Sequence, residues 1–173
     1  MMKKITKIGK KGLDLIKSFE GLSLKPYLCP AGIPTIGYGS TFYEDGTKVT
    51  LKDKAITEAR ATKMLLHEVA ISEKYVDTFC QDTITQNQFD ALVSFAYNAG
   101  PNALKTSTLL VKLNKNVNDP TIKDEFLKWC KADGTHNGKD DDNDGLIDEA
   151  GEKQKLEGLL KRRTAEAALY FTK

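Results

Sequence analysis

The stretch TITQNQFDALVSFAYNAGP, from Thr83 to Pro101, constrains the fold more than any other part of the sequence. Thr85 and Gln88 have the spacing of a capping box, in which each side chain bonds the backbone N–H of the other residue. Gly100 and Pro101 are typical of the point where a helix stops. Between these signals, apolar residues recur at helical spacing, at Phe89, Leu92, Val93 and Ala96. The stretch therefore predicts a capped amphipathic helix.

The rest of the chain alternates between short helical patterns and one segment with strand character. From Lys11 to Glu20 apolar residues recur every third position, and Gly21 is suited to follow a helix. Residues 26–50 are rich in glycine, β-branched and aromatic residues, with a hairpin turn predicted at Asp45-Gly46. Further helices are predicted at 57–79, 107–114, 120–131 and 156–171. The pattern predicts a single α+β domain, in which a small N-terminal antiparallel sheet leans on a mainly helical lobe.

Composition limits the cellular location and the classes of partner that we expect for the chain. No long apolar run follows the lysines near the N-terminus, so we expect neither a signal peptide nor a membrane anchor. Three widely spaced cysteines favour reduced thiols in a cytoplasm. Residues 133–152 hold one lysine and eight acidic residues, a net charge of −7, whereas the other 153 residues carry +9. A basic body suggests a polyanionic partner, and composition alone leaves nucleic acid, anionic lipid and cell-wall polymer open.

Three side chains in a Gly-rich frame stand out as candidates for chemistry. Glu20 falls on the last turn of the first predicted helix, where the negative end of the helix dipole disfavours an ionised carboxylate. Such a group can act as a general acid, as one carboxyl does in glycoside hydrolysis. Cys29 and Thr35 follow and would form the second half of the site. Taken singly, each of the three also fits a purely structural role.

The same residues resemble the catalytic motif of the phage-type lysozymes, the endolysins of glycoside hydrolase family 24. In that family a Glu is followed after eight residues by Asp or Cys, and after five more by Thr. Glu20, Cys29 and Thr35 match this spacing. The surrounding FEGLSLKPY and PTIGYGS, and the later QFDALVSFAYNAG and GLLKRRTAEAALY, are similar to the family as well. The resemblance covers about residues 13–131 and 156–171.

The resemblance implies a lysozyme-like fold and a muramidase that cleaves the β-1,4 bond between N-acetylmuramic acid and N-acetylglucosamine in peptidoglycan. Glu20 would be the general acid, and Cys29 and Thr35 would position the water. Tyr97 and Asn98 would face the sugar cleft, although both also suit a helix end. Ser40 stands where many relatives carry His, so an ion pair made by that His is not expected here.

The acidic insert at about residues 133–153 carries a second pattern. Counted from Asp140, carboxylates fall at positions 1, 3, 5 and 9, with Gly145 at position 6. This spacing resembles a calcium loop of the EF-hand type, with ligands expected from Asp140, Asp142, Asp144, the carbonyl of Leu146 and Asp148. Position 12 is Gly151 rather than Glu, so Glu149, Glu152 or water would complete the shell. The alternative is a solvated acidic loop.

These patterns together predict a monomeric endolysin that acts on bacterial peptidoglycan. We expect it to be made in the host bacterial cytoplasm, to reach the wall with the help of a holin, and to need no cofactor for catalysis. Its basic residues are not interleaved with aromatic ones, and Trp129 suits a core position, so nucleic acid is not expected as a partner. The alternative function is a non-catalytic module that binds cell-wall glycan and carries a calcium loop; an intact Glu20 favours the enzyme.

Overall fold

The computed structural model of the chain describes residues 4–80, 84–133 and 153–172. Most of the elements in these ranges are helices, with two short two-stranded sheets. In chain order the elements are α1 (Lys10–Glu20), β1 (Ser23–Leu28), β2 (Pro34–Gly37), α2 (Glu58–Phe79), α3 (Gln86–Ala99), α4 (Pro101–Thr106), α5 (Thr108–Lys115), α6 (Ile122–Leu127), β3 (Lys131–Asp133), β4 (Lys153–Lys155) and α7 (Glu157–Tyr170). This arrangement confirms the α+β fold class.

Helix α3 is the centre of the hydrophobic core. Both halves of its capping box are formed: the Gln88 N–H donates to Thr85 Oγ1 at 3.2 Å, and the Thr85 N–H donates to Gln88 Oε1 at 2.9 Å. The predicted apolar stripe is buried and packs against α1, α2 and α7. Gly100, with φ of +94°, ends the helix as expected, and Pro101 then begins α4.

Helix α1 lacks a side-chain cap of its own, and another helix supplies one. Its N-cap residue is Gly9, and the buried carboxylate of Asp90 on α3 accepts hydrogen bonds from the Gly9 and Gly12 N–H groups at 2.7 and 3.0 Å. A Cβ atom at Gly12 would lie 2.6 Å from the Cβ of Asp90, so only glycine permits this approach. The contact fixes the start of α1 against α3, and α1 carries Glu20 at its other end.

The first sheet follows α1 directly and differs in part from the prediction. Strands β1 and β2 pair antiparallel, with Tyr27 opposite Thr35. The Asp45-Gly46 turn is present, but the residues beside it form only an isolated bridge, between Phe42 and Lys48, rather than two regular strands. Ile36 of β2 is buried in a small cluster with Val49 and Met64, which attaches the sheet to α2.

The helix predicted at 120–131 is shorter than expected. Helix α6 ends at Leu127 and continues only as a 3-10 turn, Lys128–Cys130, because Trp129 adopts non-helical angles (φ −92°, ψ 30°). Its indole packs edge-on against Phe95 with ring centroids 5.4 Å apart, a core position as expected. The chain then enters β3, which pairs antiparallel with β4, with Asp133 opposite Lys153. Within the described residues, no helix combines the length and apolar character needed to span a membrane.

Candidate active site

Glu20 is the last residue of α1, and its side chain is 24% exposed. Gly21 follows with φ of +69°, a conformation that favours glycine and turns the chain into β1. Arg162 Nη1 donates to Glu20 Oε1 at 2.6 Å, although the two residues lie far apart in the sequence. The Arg162 guanidinium also stacks over the Phe19 ring, 5.5 Å from its centroid. The structure therefore gives the predicted acid a charged partner that sequence reasoning missed.

Arg162 belongs to a buried polar network on α7. The Arg162 side chain is 4% exposed, and the Glu166 side chain one turn later is fully buried. Glu166 Oε1 accepts from Ser94 Oγ at 2.7 Å and from Arg162 Nε at 3.3 Å, while Oε2 lies 3.1 Å from Arg163 Nε. Arg162 and Arg163 stand four and three positions before Glu166, which is the helical spacing of an ion pair and the sequence signal for this network. Buried cations require such partners.

Electrostatics in this network follow from its burial. Burial raises the pKa of the Glu166 carboxyl, against the opposing effect of Arg163, Ser94 and Arg162. Burial likewise lowers the pKa of Arg163, whose guanidinium lies over the Phe95 ring at 4.8 Å. Arginine nevertheless stays protonated in proteins, so the network contains two fixed positive charges, of which Arg162 contacts Glu20.

Cys29 and Thr35 lie close together, Cys29 just after the end of β1 and Thr35 on β2. Cys29 follows β1 immediately, its N–H donates to the Ile33 carbonyl at 3.1 Å, and Thr35 is buried on β2. The Thr35 hydroxyl donates to the same Ile33 carbonyl at 2.9 Å and lies beside the thiol. Backbone contact with Ile33 lowers the pKa of the Cys29 thiol, and backbone contact with Ala31 and the Thr35 hydroxyl add to this effect. The loop thus makes the Cys29 thiol easier to ionise, and an ionised thiol is a better hydrogen-bond acceptor than a neutral one.

Glu20 and the Cys29–Thr35 pair belong to one continuous structural unit. Only Gly21 and Leu22 separate the end of α1 from the start of β1. The antiparallel pairing of β1 with β2 then brings Thr35 opposite Tyr27, two residues before Cys29. The local sequence therefore places all three candidates on a single helix–hairpin segment.

Tyr97 and Asn98, at the end of α3, have different neighbours. The Tyr97 hydroxyl donates to Glu68 Oε2 on α2 at 3.1 Å. Burial raises the pKa of Tyr97, and the negative charges of Glu68 and Glu20 add to the effect, so its phenol stays neutral. Asn98 is exposed, and its Oδ1 accepts from Arg163 Nη2 at 2.6 Å. Tyr97 is thus bonded to Glu68 and feels the charge of Glu20, whereas Asn98 is bonded to the buried Arg163.

Ser40, the departure noted in the sequence, is buried at the junction of the sheet and α2. Its backbone exchanges two hydrogen bonds of 2.9 Å with Ile36. Its Oγ has no hydrogen-bond partner among the described residues. Backbone pairing therefore holds this junction in the absence of a histidine.

The predicted calcium ligands Asp140, Asp142, Asp144, Leu146 and Asp148 lie outside the described residues. Within the described ranges, no three His, Cys, Asp or Glu side chains are grouped so that they could hold a metal ion. The described strands β3 and β4 do bring together the two ends of the acidic segment, through the pairing of Asp133 with Lys153.

Known proteins are similar to this chain in sequence and in architecture. Residues 17–166 match the profile of the family described as Phage lysozyme. The chain is 41% identical to the endolysin of Acyrthosiphon pisum secondary endosymbiont phage 1 over 164 residues, which cover 94% of this chain and 97% of that protein. It is 38% identical to the endolysin of Bacillus phage B103, covering 95% of this chain but only 54% of that protein, so the chain spans about half of it.

Solved structures of an endolysin and of a muramidase domain have a similar fold. The endolysin from Escherichia coli O157:H7 phage FAHEc1 superposes with a TM-score of 0.75 at 38% identity, covering 95% of this chain and 93% of that one. The muramidase domain of SpmX from Asticaccaulis excentricus superposes with a TM-score of 0.72 at 32% identity, covering 96% and 99%. From its sequence match and its fold, the chain belongs to the phage lysozyme family.

Proposed function

We propose that the protein is a peptidoglycan muramidase of the endolysin type, which hydrolyses the β-1,4 bond between N-acetylmuramic acid and N-acetylglucosamine. The observation that carries the proposal is a partly exposed carboxyl, Glu20, at a helix end beside a hairpin that bears Cys29 and Thr35. The relatives called endolysins and the solved muramidase domain support the same reaction class. Nothing in these comparisons supports the alternative of a non-catalytic glycan-binding module.

In the proposed reaction Glu20 donates a proton to the glycosidic oxygen of the leaving sugar. The contact with Arg162 Nη1 orients the carboxyl, and the proton donor must be the protonated form. When the glycosidic bond breaks, the proton moves to the leaving-group oxygen and Glu20 becomes a carboxylate. That carboxylate then regains its full ion pair with Arg162, which stabilises the charge that develops during the step.

Cys29 and Thr35 have the complementary role of holding the attacking water. The Cys29 sulfur, whose ionisation the backbone contacts ease, accepts a hydrogen bond from water, and the adjacent Thr35 hydroxyl provides a second polar contact. Water held in this way reacts at the anomeric carbon, and its second proton passes to the acceptor that holds it.

Tyr97 and Asn98 would contact the sugar rather than the reacting atoms. The neutral Tyr97 ring offers an apolar face next to Glu20. Because Asn98 Oδ1 is engaged by Arg163, its amide N–H group is the part that would donate to an acetamido carbonyl of the glycan. The net positive charge outside the acidic insert would attract the anionic cell wall. Release into the wall compartment would depend on a partner such as a holin.

The test is an assay on purified peptidoglycan followed by mass spectrometry of the soluble fragments. We expect turbidity to fall and every new reducing end to be on muramic acid. Fragments cut at amide bonds would overturn the proposal, as would binding to the wall without any release of fragments. Reduction of the fragments with borodeuteride before analysis identifies which sugar carries the new end.

A further inference from the structure

The Arg162 side chain bridges two carboxylates that have different environments. Its Nη1 donates to the partly exposed Glu20 at 2.6 Å, and its Nε donates to the fully buried Glu166 at 3.3 Å. Glu166 has no exposed surface, so it cannot touch a substrate. We propose that Glu166 is a positioning residue that holds Arg162 against Glu20 and supplies the negative charge that lets Glu20 take up its catalytic proton. The inference rests on the proposed function.

The geometry explains how Glu166 limits the movement of Arg162. Ser94 Oγ, from α3, donates to Glu166 Oε1 at 2.7 Å, and Arg163 Nε lies 3.1 Å from Oε2. Because two helices anchor the carboxylate, its position is set by the core and not by the cleft. A long arginine side chain that is bonded at Nε loses most of its rotational freedom, so Nη1 points at Glu20 before substrate arrives.

The balance of charges in the network explains how Glu166 allows Glu20 to be protonated. With both carboxylates ionised, Glu20 and Glu166 balance the two guanidinium groups. When Glu20 is protonated, Glu166 remains as the buried counter-charge of Arg162 and Arg163. Without it, two uncompensated cations would hold Glu20 as a carboxylate. In the described part of the chain, several titratable or charged groups face this network from the elements packed around it. They are Arg162, Arg163 and Glu166 on α7, Glu20 on α1, Tyr97 on α3, Glu68 on α2 behind Tyr97, and Cys130 next to Arg163.

The Glu166→Gln variant tests the proposal, because glutamine preserves the shape and removes the charge. We expect the alkaline limb of its kcat–pH profile to move down by roughly 0.5 to 1 pH unit. At pH values above that limb, kcat of the variant should be about 3- to 10-fold lower than that of wild type, because a shift of 0.5 to 1 pH unit reduces the protonated fraction of the acid by the same factor. KM should stay unchanged, because Glu166 does not reach the substrate.

Glu125→Gln is the matched control. Glu125 is also a buried carboxylate with two cationic partners, Lys112 at 2.6 Å and Lys128 at 2.9 Å, but it makes no contact with Arg162. A purely structural role for Glu166 predicts that both variants lose stability and that neither moves the pH profile. That outcome would overturn the proposal. A shifted profile in Glu166→Gln alone supports it.

A second measurement separates this inference from the proposed function. The ¹³C signal of the Glu20 carboxyl is followed against pH in the free protein, in wild type and Glu166→Gln, with no substrate present. A titration that moves to lower pH in the variant supports the positioning role, even if the peptidoglycan assay had yielded no muramidase fragments. If wild type hydrolyses peptidoglycan and the titration curves coincide, Glu166 has no such role and the muramidase function stands.

Arg162→Lys keeps the test decisive if Glu166→Gln fails to fold. A lysine ammonium retains the positive charge but cannot hold Glu166 through one atom and Glu20 through another. We expect kcat to fall at least about 10-fold with KM unchanged. Wild-type kcat in this variant would show that bridging is dispensable and would overturn the proposal.

Discussion

Glu20 shows how a single residue can carry a site and still depend on distant neighbours. Its position at the end of α1 is local, but its partner Arg162 comes from the last helix. The ion pair with Arg162 orients the Glu20 carboxyl. Glu20 must also bind the proton that it later donates, and binding this proton weakens the ion pair. Residue-scale experiments can therefore separate chemistry from architecture, since Gln and Glu have nearly the same shape.

For Glu20→Gln we expect peptidoglycan hydrolysis to fall by at least about 100-fold, because the side chain can no longer transfer a proton. The far-UV circular dichroism spectrum should match that of wild type, since the amide still accepts a bond from Arg162. Glu157→Gln is the control. Glu157 lies on α7, its side chain is 81% exposed, and it forms an ion pair of 3.6 Å with the exposed Lys161, so the same substitution there does not reach the site. Activity near wild type in Glu20→Gln would end the glycosidase assignment.

Two variants of Cys29 test how much its side chain contributes to activity. Cys29→Asp restores the other residue that the motif accepts and keeps an anionic acceptor beside Thr35, so we expect it to retain activity. Cys29→Ala removes the acceptor and should lose about 100-fold in kcat, the lower end of the range for one positioned acid–base group. Initial rates of turbidity loss measure both. Equal rates in the Ala and Asp variants would remove Cys29 from the mechanism.

The thiols of Cys29 and Cys80 should differ in their reactivity toward iodoacetamide. Contact with the Ile33 backbone lowers the pKa of Cys29, whereas burial, with the charge of Asp77, raises the pKa of Cys80 to about 12. At neutral pH Cys29 should therefore be alkylated first, and hydrolysis should be lost in parallel. Peptide mapping against time measures the order. Modification of Cys80 ahead of Cys29, or full activity after alkylation of Cys29, would contradict the proposed arrangement.

At the scale of elements, the site is built by helices that hold one another at their ends. The N-terminus of α1 is capped by Asp90 of α3, and its C-terminal carboxylate is held by Arg162 of α7. Upstream of α1, the Ile8 N–H donates to the buried Glu73 of α2 at 2.8 Å. Three helices thus determine where Glu20 lies, and the hairpin that follows α1 takes its direction from the same contacts.

Helices α5 and α6 are joined by one buried carboxylate that makes stability depend on pH. Burial acts to raise the pKa of Glu125, but hydrogen bonds with Lys112, Thr108 and Lys128 outweigh it and lower the pKa to about 2. A folded pKa below the unfolded one contributes stability above about pH 4.5, and this contribution is lost as the pH falls toward 2. We expect the melting temperature of wild type to fall more over this window than that of Glu125→Gln. Parallel curves for the two proteins would contradict the assignment.

At the scale of the whole molecule, charge is divided between a basic body and an acidic segment whose ends meet at β3 and β4. We propose that this segment binds calcium through Asp140, Asp142, Asp144, Leu146 and Asp148, because dense carboxylates repel one another unless a cation neutralises them. The segment connects two elements of the helical lobe and is distant in sequence from Glu20. A bound ion would therefore act on stability and have little effect on turnover.

Millimolar Ca²⁺ should raise the melting temperature of wild type more than that of the Asp142→Ala, Asp144→Ala double variant, because a ligand that binds only the folded state stabilises it by mass action. Melts in EDTA give the reference for each protein, and Mg²⁺ at the same concentration tests selectivity for the larger ion. Identical wild-type melts in EDTA and in Ca²⁺ would reduce the segment to a solvated acidic loop.

The sequence by itself determined the features that depend on short-range patterns. The capping box and apolar stripe of α3, the end of α1 at Gly21 and the spacing of Glu20, Cys29 and Thr35 all follow from interactions within a few residues. Where local signals competed, the prediction was incomplete. The helix expected through Lys131 ends at Leu127, two residues before Trp129, because Trp129 packs against Phe95. The Asp45-Gly46 turn gives only one bridge, and the attachment of this region to α2 outweighs the local preference for two strands.

Tertiary structure alone decided the partners of the site. Asp90 caps a helix that begins about 80 residues earlier, and Arg162 reaches Glu20 across 142 residues of sequence. Neither contact leaves a periodic signal, because an ion pair or a cap between distant segments depends on how the helices pack and not on the spacing of their residues. For the same physical reason, the buried network of Ser94, Arg162 and Glu166 left only the helical spacing of Arg162 and Glu166 as a signal in the sequence, and its geometry emerged only when α3 and α7 came together.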